Sequence, residues 1–352
     1  MSVPKTMKQW IVKDTKNGFD ELELQNGVEV PQVGEYDVLV KIQAVSLNYR
    51  DLIIPKGMYP FPAAVPVVPC SDGVGKVVKI GAKVSEFSEG DSVATLFSQK
   101  HQAGPIKPAA MASGLGGALH GTLREYAAFP ESGLVRAPSN ISVNEAATLS
   151  CAPLTAYNAL FGLESKHVKA GDWVLTQGTG GVSLSAIQFA RAAGASVIAT
   201  SSSDEKLEFL KKAGATHVIN YKKDTNWGET AKNLTTGKLG VDHVVEVGGP
   251  GTMKQSMLAV KPEGVITVIG FLGGVQAENT PTTLDTLTHL CTVRGILVGS
   301  RQQFEDMVRA IETAGIHPVV DKNVFSFEKA VDAYNYQWDQ KHLGKVVIEV
   351  GA

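Results

Sequence analysis

From about residue 170 the chain alternates short apolar runs with amphipathic runs, and this alternation constrains the fold more than any other feature. The runs that read as strands are DWVLTQ, SVIATS, HVINY and GVITVIGF. The runs with apolar residues at helical spacing are VSLSAIQFARAA, DEKLEFLKKA and MKQSMLAV. Strands separated by helices of this length form right-handed crossovers and a parallel sheet. We therefore predict an α/β fold with a doubly wound parallel sheet in residues 151–299.

The first 150 residues have a different pattern, because strand-like runs dominate and long helical patterns are scarce. These runs are WIVKD, DVLVKIQAVSLN, GVGKVVKIG and DSVATLF, with Gly and Pro between them. The last 50 residues give short strands around a helix and end in a β-run that rejoins the first part. We therefore predict two domains, one made of residues 1–150 and 300–352 and the other of residues 151–299.

Composition limits the partners that the chain is expected to have. Its 33 basic and 35 acidic residues give a formal charge of −2, which does not favour a nucleic-acid or membrane-surface partner. The N-terminus lacks the apolar run of a signal peptide or a membrane helix. Three widely spaced cysteines, Cys70, Cys151 and Cys291, do not form a disulfide framework. We expect a cytoplasmic protein with no nucleic-acid partner and no membrane partner.

A glycine-rich turn follows the strand DWVLTQ and precedes a helix. Its residues are Gly178, Thr179, Gly180, Gly181, Val182 and Ser183. Gly178 permits a tight turn, Gly180 leaves the backbone accessible to a pyrophosphate, and Gly181 lets helix and strand pack closely. The following helix presents N–H groups and a positive dipole end to a phosphate. Residues 178–182 are therefore predicted to bind a dinucleotide, although Ser183 replaces the third glycine of the usual fingerprint and a ligand-free turn is the alternative.

The second strand of the sheet ends at Ser201, where NAD-binding proteins usually carry a carboxylate. A carboxylate would repel a 2′-phosphate, whereas the hydroxyls of Ser201 and Ser202 can donate to it and Lys206 can neutralise it. This pattern predicts NADPH (NADP) as the cofactor. The alternative is that Ser203 or Asp204 only caps the next helix and that Lys206 lies on its solvent-exposed face.

Five stretches in the expected order resemble the medium-chain dehydrogenase/reductase superfamily, and most closely its zinc-independent quinone oxidoreductase branch. They are AVSLNYRDLIIPKGMYP, VPVVPCSDGVGKVVKIGAKVSEFSEGDSV, AATLSCAPLTAYNAL, VKAGDWVLTQGTGGVS and KKAGATHVINY. The resemblance implies a GroES-like, mainly β catalytic domain built from both chain ends, with a Rossmann coenzyme-binding domain between them. It also implies a homodimer, in which the strands GVITVIGF and TVRGILVG pair across a two-fold axis.

The resemblance also bears on metal binding, because zinc enzymes of this superfamily hold the catalytic ion with a Cys, a His and a second Cys. The matching positions here are Asn48, Ser71 and Cys151, so only the last carries a usual zinc ligand. The loop that matches the structural zinc lobe has no cysteine. A site built from Cys70, Asp72 and Cys151 is the alternative. We predict no bound metal.

Without a metal ion, nothing lowers the pKa of an unactivated alcohol, so that its oxidation becomes difficult. Reduction of an electron-poor acceptor remains possible, because the resulting enolate or phenolate needs only hydrogen-bond donors and a proton. We therefore predict an NADPH-dependent oxidoreductase that transfers hydride to a quinone or an α,β-unsaturated carbonyl compound. The alternatives are a trans-acting enoyl reductase, a ketone or alcohol oxidoreductase, and a non-catalytic structural protein that binds NADPH.

The resemblance assigns roles to further residues. Asn48 and Tyr59 would be catalytic, Asn48 as a donor to the ribose or to a developing oxyanion, and Tyr59 as a donor or stacking surface for a flat acceptor. The further cofactor contacts that it implies are Thr155, Tyr221, Gly270, Phe271, Val298 and Gly299. The structural alternatives are an Asn that fixes a turn, an aromatic residue at the core edge and a helix Thr bonded to a carbonyl. Arg50 and Asp51 are interpreted as a structural pair.

Overall fold

The computed structural model of the protein describes residues 3–274 and 280–351. The strands in these residues are β1 (Thr6–Val12), β2 (Leu22–Glu29), β3 (Asp37–Ser46), β4 (Asp72–Ile80), β5 (Ser92–Thr95), β6 (Tyr126–Pro130), β7 (Leu134–Arg136), β8 (Trp173–Gln177), β9 (Ser196–Ser201), β10 (His217–Asn220), β11 (Val241–Glu246), β12 (Val260–Val268), β13 (Thr292–Gly295), β14 (Val320–Ser326) and β15 (Lys345–Glu349). The helices are α1 (Tyr49–Ile53), α2 (Pro108–Met111), α3 (Val143–Ala146), α4 (Ala152–Phe161), α5 (Gly181–Ala192), α6 (Asp204–Lys212), α7 (Trp227–Leu234), α8 (Pro250–Ala259), α9 (Thr283–Thr288), α10 (Arg301–Ala314) and α11 (Ala330–Trp338).

The chain divides into two compact units. The first contains the residues up to Leu154 together with those from Gly299 onward, and the second is Thr155–Val298. The first unit is built mainly on antiparallel strands, and the second on a parallel sheet with intervening helices. The predicted α/β fold class is therefore confirmed.

The second unit contains a six-stranded parallel sheet in the order β10-β9-β8-β11-β12-β13. Its central strands are buried along nearly their whole length, as β8 and β9 show, because both faces of such a sheet are covered. The strand order reverses between β8 and β11. Ligands of open α/β sheets bind at the carboxyl ends of the strands beside such a reversal, so this edge is where a cofactor is expected.

The first unit contains a sheet in the order β14-β15-β3-β4-β5-β7, with β6 also paired to β3. Strand β15 pairs antiparallel with β3, and Val347 lies opposite Ser46. The C-terminal strand thereby joins a sheet formed early in the chain, as the sequence predicted. Alternate residues of β3 enter a buried core, which also contains Tyr334 and Ile348.

The run EAATLSCAPLTAYNALFGL contains the end of α3 and the whole of α4. Helix α3 begins at a capping box in which the Glu145 carboxylate accepts the Ser142 N–H over 2.7 Å. Residues 148–151 form turns, and α4 begins just before Pro153. Proline is tolerated in the first turn of a helix because its missing N–H is not needed there. Cys151 directly precedes α4.

The described part of the chain contains no helix that could span a membrane. None of the helices there combines the length and the apolar composition needed to cross a bilayer.

Candidate functional site

The glycine-rich turn lies at the carboxyl end of β8, beside the reversal in strand order. Gly178 has a φ of 79°, a left-handed conformation that favours glycine, and its N–H donates to the Thr200 carbonyl over 2.7 Å. At Gly178 and at Gly180, no described atom beyond the two adjacent residues lies within 4 Å of the position that a Cβ would occupy. The bare backbone of this turn therefore faces space that the described chain leaves open.

Helix α5 begins within this glycine-rich stretch, at Gly181, with Gly180 as its N-cap. The first N–H groups of a helix have no partner within it, and together with the helix dipole they favour an anion. Ser183 stands at the third glycine position of the fingerprint, and its hydroxyl donates to the Gln177 carbonyl over 2.6 Å. Ser183 thus ties the helix to the strand that precedes it. The turn has the features of a pyrophosphate site without that third glycine.

A buried carboxylate, Glu246, anchors the strand ends around the turn. It ends β11 and is fully buried. Its donors are the N–H groups of Gly248 and Gly249 at 2.9 Å, the side-chain amide of Gln177 at 2.7 Å, and the hydroxyls of Thr252 and Ser256. Gln177 ends β8, so the Gln177–Glu246 contact joins the two strands at which the order reverses. Sequence reasoning missed Glu246, although a charged residue closing the apolar run VDHVVE was a usable signal.

The end of β9 carries the residues predicted to bind a 2′-phosphate. Ser201 is buried, with 2% of its surface exposed. The Ser203 hydroxyl accepts the Lys206 N–H over 3.3 Å and so caps α6, as the structural alternative foresaw. Asp204 forms an ion pair with Lys223, whose hydrogen bond is the main reason that the pKa of Asp204 is lowered. The negative charge of Asp204 is thus partly neutralised.

Tyr221 follows β10 directly, instead of ending it as predicted, and 41% of its surface is exposed. Its N–H donates to the Ser201 carbonyl over 3.1 Å, which brings Tyr221 to the end of β9. Ser202 follows Ser201 and is partly exposed. Within residues 3–274 and 280–351, no carboxylate lies within 4 Å of the Lys206 ammonium. Two hydroxyls, a phenol and a lysine therefore share one edge of the second unit.

Two further predicted segments of the second unit follow β12 and β13. Gly270 is packed tightly, because a Cβ there would lie 2.9 Å from the Val247 carbonyl oxygen, and Phe271 follows it. Val298 has a φ of 52°, which is strained for a β-branched residue. Its carbonyl accepts the Asn158 side-chain N–H over 2.6 Å. These contacts fix the backbone of both segments.

The Val298 amide N–H donates to no acceptor in the described part of the chain, so it is available to a ligand. Asn158 itself is held by Arg294, whose guanidinium donates to Asn158 Oδ1 over 2.8 Å. Thr155 lies in α4 and is buried. Sequence reasoning did not single out Asn158 or Arg294, because each acts on a residue more than a hundred positions away along the chain.

A buried polar cluster, here named the Lys345 cluster and consisting of Asn48, Asp51, Asp72 and Lys345, lies in the first unit. Asn48 follows β3, Asp72 begins β4 and Lys345 begins β15, and β3 pairs with both of the other two strands. The Lys345 ammonium donates to the Leu47 carbonyl and to Asn48 Oδ1, both over 2.6 Å, and to Asp72 Oδ2 over 3.2 Å. All three of its N–H groups are therefore used.

The carboxylates of the Lys345 cluster are kept in place by further donors. Asp51 accepts the Asn48 N–H over 2.8 Å, and Asp72 accepts the Ser71 hydroxyl over 2.9 Å. Burial raises the pKa of Asp72, an effect that the Lys345 charge opposes. Burial also raises the pKa of Asp51 to about 6. The sequence signal for this cluster was the single lysine that opens the otherwise apolar run KVVI, and sequence reasoning missed it.

The positions that match zinc ligands lie in and beside this cluster, and their chemistry does not suit zinc. The oxygen of Asn48 is bound to Lys345, and the Ser71 hydroxyl donates to Asp72. Cys151 is the one thiol among these three positions, and burial raises its pKa to about 12, whereas a zinc site needs three good N, S or O ligands. In residues 3–274 and 280–351, no three His, Cys, Asp or Glu side chains are grouped so that they could hold a metal ion.

The alternative metal site, built from Cys70, Asp72 and Cys151, suits zinc no better. Burial raises the pKa of the Cys70 thiol well above its usual range, and its sulfur lies 3.6 Å from the Tyr334 hydroxyl. Asp72, the second member of that site, already accepts a hydrogen bond from Lys345. A dication would have to displace this fixed ammonium.

Tyr59 lies in the first unit and is supported by Arg50. The guanidinium lies 5.2 Å from the centre of the Tyr59 ring and 4.8 Å from that of Phe97. Arg50 also donates to the Leu115 carbonyl over 2.6 Å, whereas its nearest approach to Asp51 is 3.9 Å. Arg50 therefore contacts both aromatic rings and also forms the predicted ion pair with Asp51.

The predicted site residues are distributed between the two units. Asn48, Tyr59 and Gly299 belong to the first, where a Cβ at Gly299 would lie 2.9 Å from the Leu154 side chain. The others belong to the second: Thr155, Gly178, Thr179, Gly180, Gly181, Val182, Ser201, Ser202, Lys206, Tyr221, Gly270, Phe271 and Val298. Apart from Thr155, which lies in α4, they lie at or just after the ends of strands of the parallel sheet.

Comparison with known proteins gives two family matches. Residues 34–139 match the alcohol dehydrogenase GroES-like domain, and residues 181–313 match the zinc-binding dehydrogenase domain. The predicted GroES-like and doubly wound architecture is confirmed by these matches and by the solved structures. The word zinc in the second description implies a metal that the donor atoms found here do not suit.

Several proteins are similar to the chain over nearly its whole length. A zinc-type alcohol dehydrogenase-like protein of Schizosaccharomyces pombe is 49% identical, over 97% of this chain and 99% of its own. An NADPH-dependent alkenal/one oxidoreductase of Arabidopsis thaliana, described as chloroplastic, is 31% identical over 99% of this chain and 80% of its own. A crystal structure from Sinorhizobium meliloti 1021, described as that of an alcohol dehydrogenase, has 40% sequence identity and a TM-score of 0.89, covering 99% of this chain and 100% of that one.

Proposed function

The chain belongs to the medium-chain dehydrogenase/reductase superfamily of oxidoreductases, and on that premise we propose that it reduces a quinone or an α,β-unsaturated carbonyl compound with NADPH and without a metal ion. The observation that carries this proposal is the Lys345 ammonium, which binds Asn48 and Asp72 where zinc relatives would assemble a metal site. A fixed monovalent cation there disfavours Zn²⁺. It also leaves the acceptor without a Lewis acid, so the acceptor must already be electron-poor.

The choice of NADPH is supported by the residues at the end of β9. Ser201 and Ser202 offer hydroxyls, Lys206 offers a charge that no described carboxylate neutralises, and Tyr221 is held beside Ser201. A 2′-phosphate would gain charge-assisted hydrogen bonds at this edge. Asp204 opposes this only weakly because Lys223 pairs with it. The Arabidopsis relative, named as NADPH-dependent, agrees with this choice.

The residues of the second unit fit a dinucleotide, which supplies a hydride from its nicotinamide ring when it is bound. The open backbone at Gly178 and Gly180 and the start of α5 would hold the pyrophosphate. The unused Val298 N–H would donate to the carboxamide of the ring. Gly270 and Phe271 would shape the adjoining surface, because their backbone is fixed by close packing.

The residues of the first unit would act on the acceptor. The Asn48 amide can donate a hydrogen bond to the oxygen on which negative charge develops. The Tyr59 ring, supported by Arg50, can stack on a flat quinone or enone, and its phenol is a further donor. The buried thiol of Cys151 has a pKa of about 12, so it is an unreactive neighbour rather than a nucleophile.

The experiment combines each of two nucleotides with each of four acceptor classes and measures the consumption of the reduced nucleotide. NADPH and NADH are each tested with a small quinone, an enone, an enoyl thioester and a simple ketone, before and after dialysis against a chelator. We expect turnover of the quinone or the enone with NADPH, at a rate that the chelator does not change. Elemental analysis of the same protein should show less than stoichiometric zinc.

Other outcomes identify the alternatives. Fastest turnover of the enoyl thioester would point to a trans-acting enoyl reductase. Reversible alcohol oxidation with one zinc per chain would contradict the proposal. Tight NADPH binding with no turnover of any acceptor would favour a non-catalytic structural protein.

We also propose that the protein is a cytoplasmic homodimer and that its catalytic and coenzyme domains are residues 1–150 with 300–352, and residues 151–299. The dimer is supported by exposed apolar side chains on and around α9 and the edge strand β13, namely Leu284, Leu287, Leu290 and Val293. Sedimentation analysis should give twice the mass of one chain. A concentration-independent monomer would contradict the dimer.

A further inference from the structure

The Lys345 ammonium determines how the Asn48 side-chain amide is oriented. An ammonium has three donors and no acceptor, so the Asn48 atom that lies 2.6 Å from it must be the oxygen. The Leu47 carbonyl and Asp72 hold the ammonium on its other sides. The amide nitrogen of Asn48 must therefore face away from Lys345.

That nitrogen has donor capacity left over in the described part of the chain. Asn48 is 9% exposed, and its Nδ2 is buried with no hydrogen-bond partner of normal geometry in residues 3–274 and 280–351, although the Asn48 side chain lies near enough to Asp72 to lower the pKa of that carboxyl. The rest of the residue is fixed, because its backbone N–H donates to Asp51 over 2.8 Å. A buried donor left unpaired costs stability and points to a functional role.

The ammonium also changes the strength of this donor. The positively charged ammonium is hydrogen-bonded to the amide oxygen and withdraws electron density from the amide nitrogen. Hydrogen bonds in series also strengthen one another at low dielectric. Lys345 thus makes the N–H groups of Asn48 better donors and also directs them.

We propose that Lys345 is a positioning residue, which holds Asn48 so that its amide N–H groups bind the carbonyl oxygen of the acceptor. This inference rests on the proposed function. When the hydride from NADPH adds to the β-carbon of an enone, the C=C electron pair shifts and the carbonyl oxygen becomes negative. The Asn48 donor stabilises that charge, and a proton from water then completes the reduction.

The first test removes the donor and keeps the acceptor. In Asn48→Asp, a carboxylate still accepts from Lys345, but no N–H group remains. We expect kcat to fall about 100-fold, as when one oxyanion donor is removed, with the NADPH dissociation constant within about twofold. Asn335→Asp, at an exposed position of α11, is the matched control and should leave both unchanged.

The second test changes Lys345 itself. Lys345→Arg can only donate and should keep kcat within about threefold of the wild type, whereas Lys345→Gln can accept from Nδ2, lets the amide turn over, and should lose about tenfold. The double variant Asp72→Asn, Lys345→Met removes both buried charges together, so that no buried charge is left unpaired to unfold the protein. A fall in its kcat can then be attributed to the loss of the ammonium. Lys341→Met, whose lysine makes an exposed ion pair with Asp339, is the control.

A third readout does not depend on turnover. 4-Nitrophenol absorbs differently as phenol and as phenolate, and an oxyanion donor lowers the pKa of the bound phenol. With NADP⁺ present, the wild type and Lys345→Arg should bind the phenolate at a pH at which Asn48→Asp and Lys345→Gln bind only the phenol.

The outcomes separate this inference from the proposed function. A wild-type protein that reduces neither quinone nor enone overturns the proposed function, and the inference with it. If the wild type is active, equal kcat and equal phenolate binding in Asn48→Asp overturn the inference alone. If Lys345→Gln weakens NADPH binding tenfold or more and leaves kcat unchanged, Lys345 is a cofactor ligand, and this result also overturns the inference.

Discussion

The substitution Glu246→Gln should destabilise the second unit strongly, although it changes a single atom. The carboxylate accepts five hydrogen bonds, two from backbone N–H groups at 2.9 Å and three from the side chains of Gln177, Thr252 and Ser256. A glutamine can keep one oxygen toward the backbone donors, but its NH₂ group must then face the NH₂ group of Gln177. The Ser256 hydroxyl can rotate to accept, whereas the Gln177 amide cannot without losing its own contacts to Val247 and Gly248.

The magnitude follows from these contacts. One hydrogen bond to a charged acceptor is lost, which is worth about 1.5–3 kcal/mol, and a buried donor is left unpaired at a cost of about 1–3 kcal/mol. We therefore expect the free energy of unfolding to fall by about 2.5–6 kcal/mol, which is large for a change that creates no cavity. The dissociation constant for NADPH should also rise, because Glu246 anchors the strand ends that carry the glycine-rich turn.

The measurement is urea unfolding, followed by fluorescence and by circular dichroism, with calorimetry as a second method. Glu208→Gln is the matched control, because Glu208 forms an exposed ion pair with Lys211, and its loss should cost less than about 1 kcal/mol. An unfolding free energy of Glu246→Gln within 1 kcal/mol of the wild type would refute the reasoning, since the estimate has its lower limit at about 2.5 kcal/mol.

Three further predictions test the nucleotide site and the pH dependence of stability. Gly180→Val should abolish nucleotide binding but change the unfolding free energy by less than about 1 kcal/mol, because the Cβ position is open. A variant that lost both nucleotide binding and much of its unfolding free energy would contradict the open space at Gly180. Ser201→Asp should raise the NADPH dissociation constant at least about tenfold and favour NADH, and unchanged preference in titrations would show that Ser201 does not face the 2′-phosphate. Burial lowers the pKa of His243 to about 4, despite Asp172 at 3.9 Å. As the pH falls, His243 is protonated in the unfolded state before it is protonated in the folded state. Its contribution to the free energy of unfolding is therefore fully present above about pH 6.5 and falls by about 3 kcal/mol toward pH 4. In urea unfolding, His243→Gln should lose correspondingly less stability over this pH range, and a loss identical to that of the wild type would contradict the role given to His243.

The sequence predicted those features of the fold that local patterns encode. Periodicities of two and of 3.6 residues distinguish strands from helices, and their alternation requires parallel pairing by crossovers. Gly178 could be placed at a left-handed turn because few other residues tolerate that conformation. The resemblance then supplied the positions that we propose as cofactor contacts.

Only the tertiary structure revealed the partners of the buried charges. Lys345 meets Asn48 across 297 positions of sequence, and Glu246 meets Gln177 across 69. Neither pair has a local signature, because the pairing of β15 with β3 and of β8 with β11 sets these neighbours through sheet register. A charge removed from water must find compensating groups wherever the fold brings them, whereas a turn or a helix depends on adjacent residues alone. The chain sequence therefore located the strands and turns, and the folded sheets decided which polar groups act together.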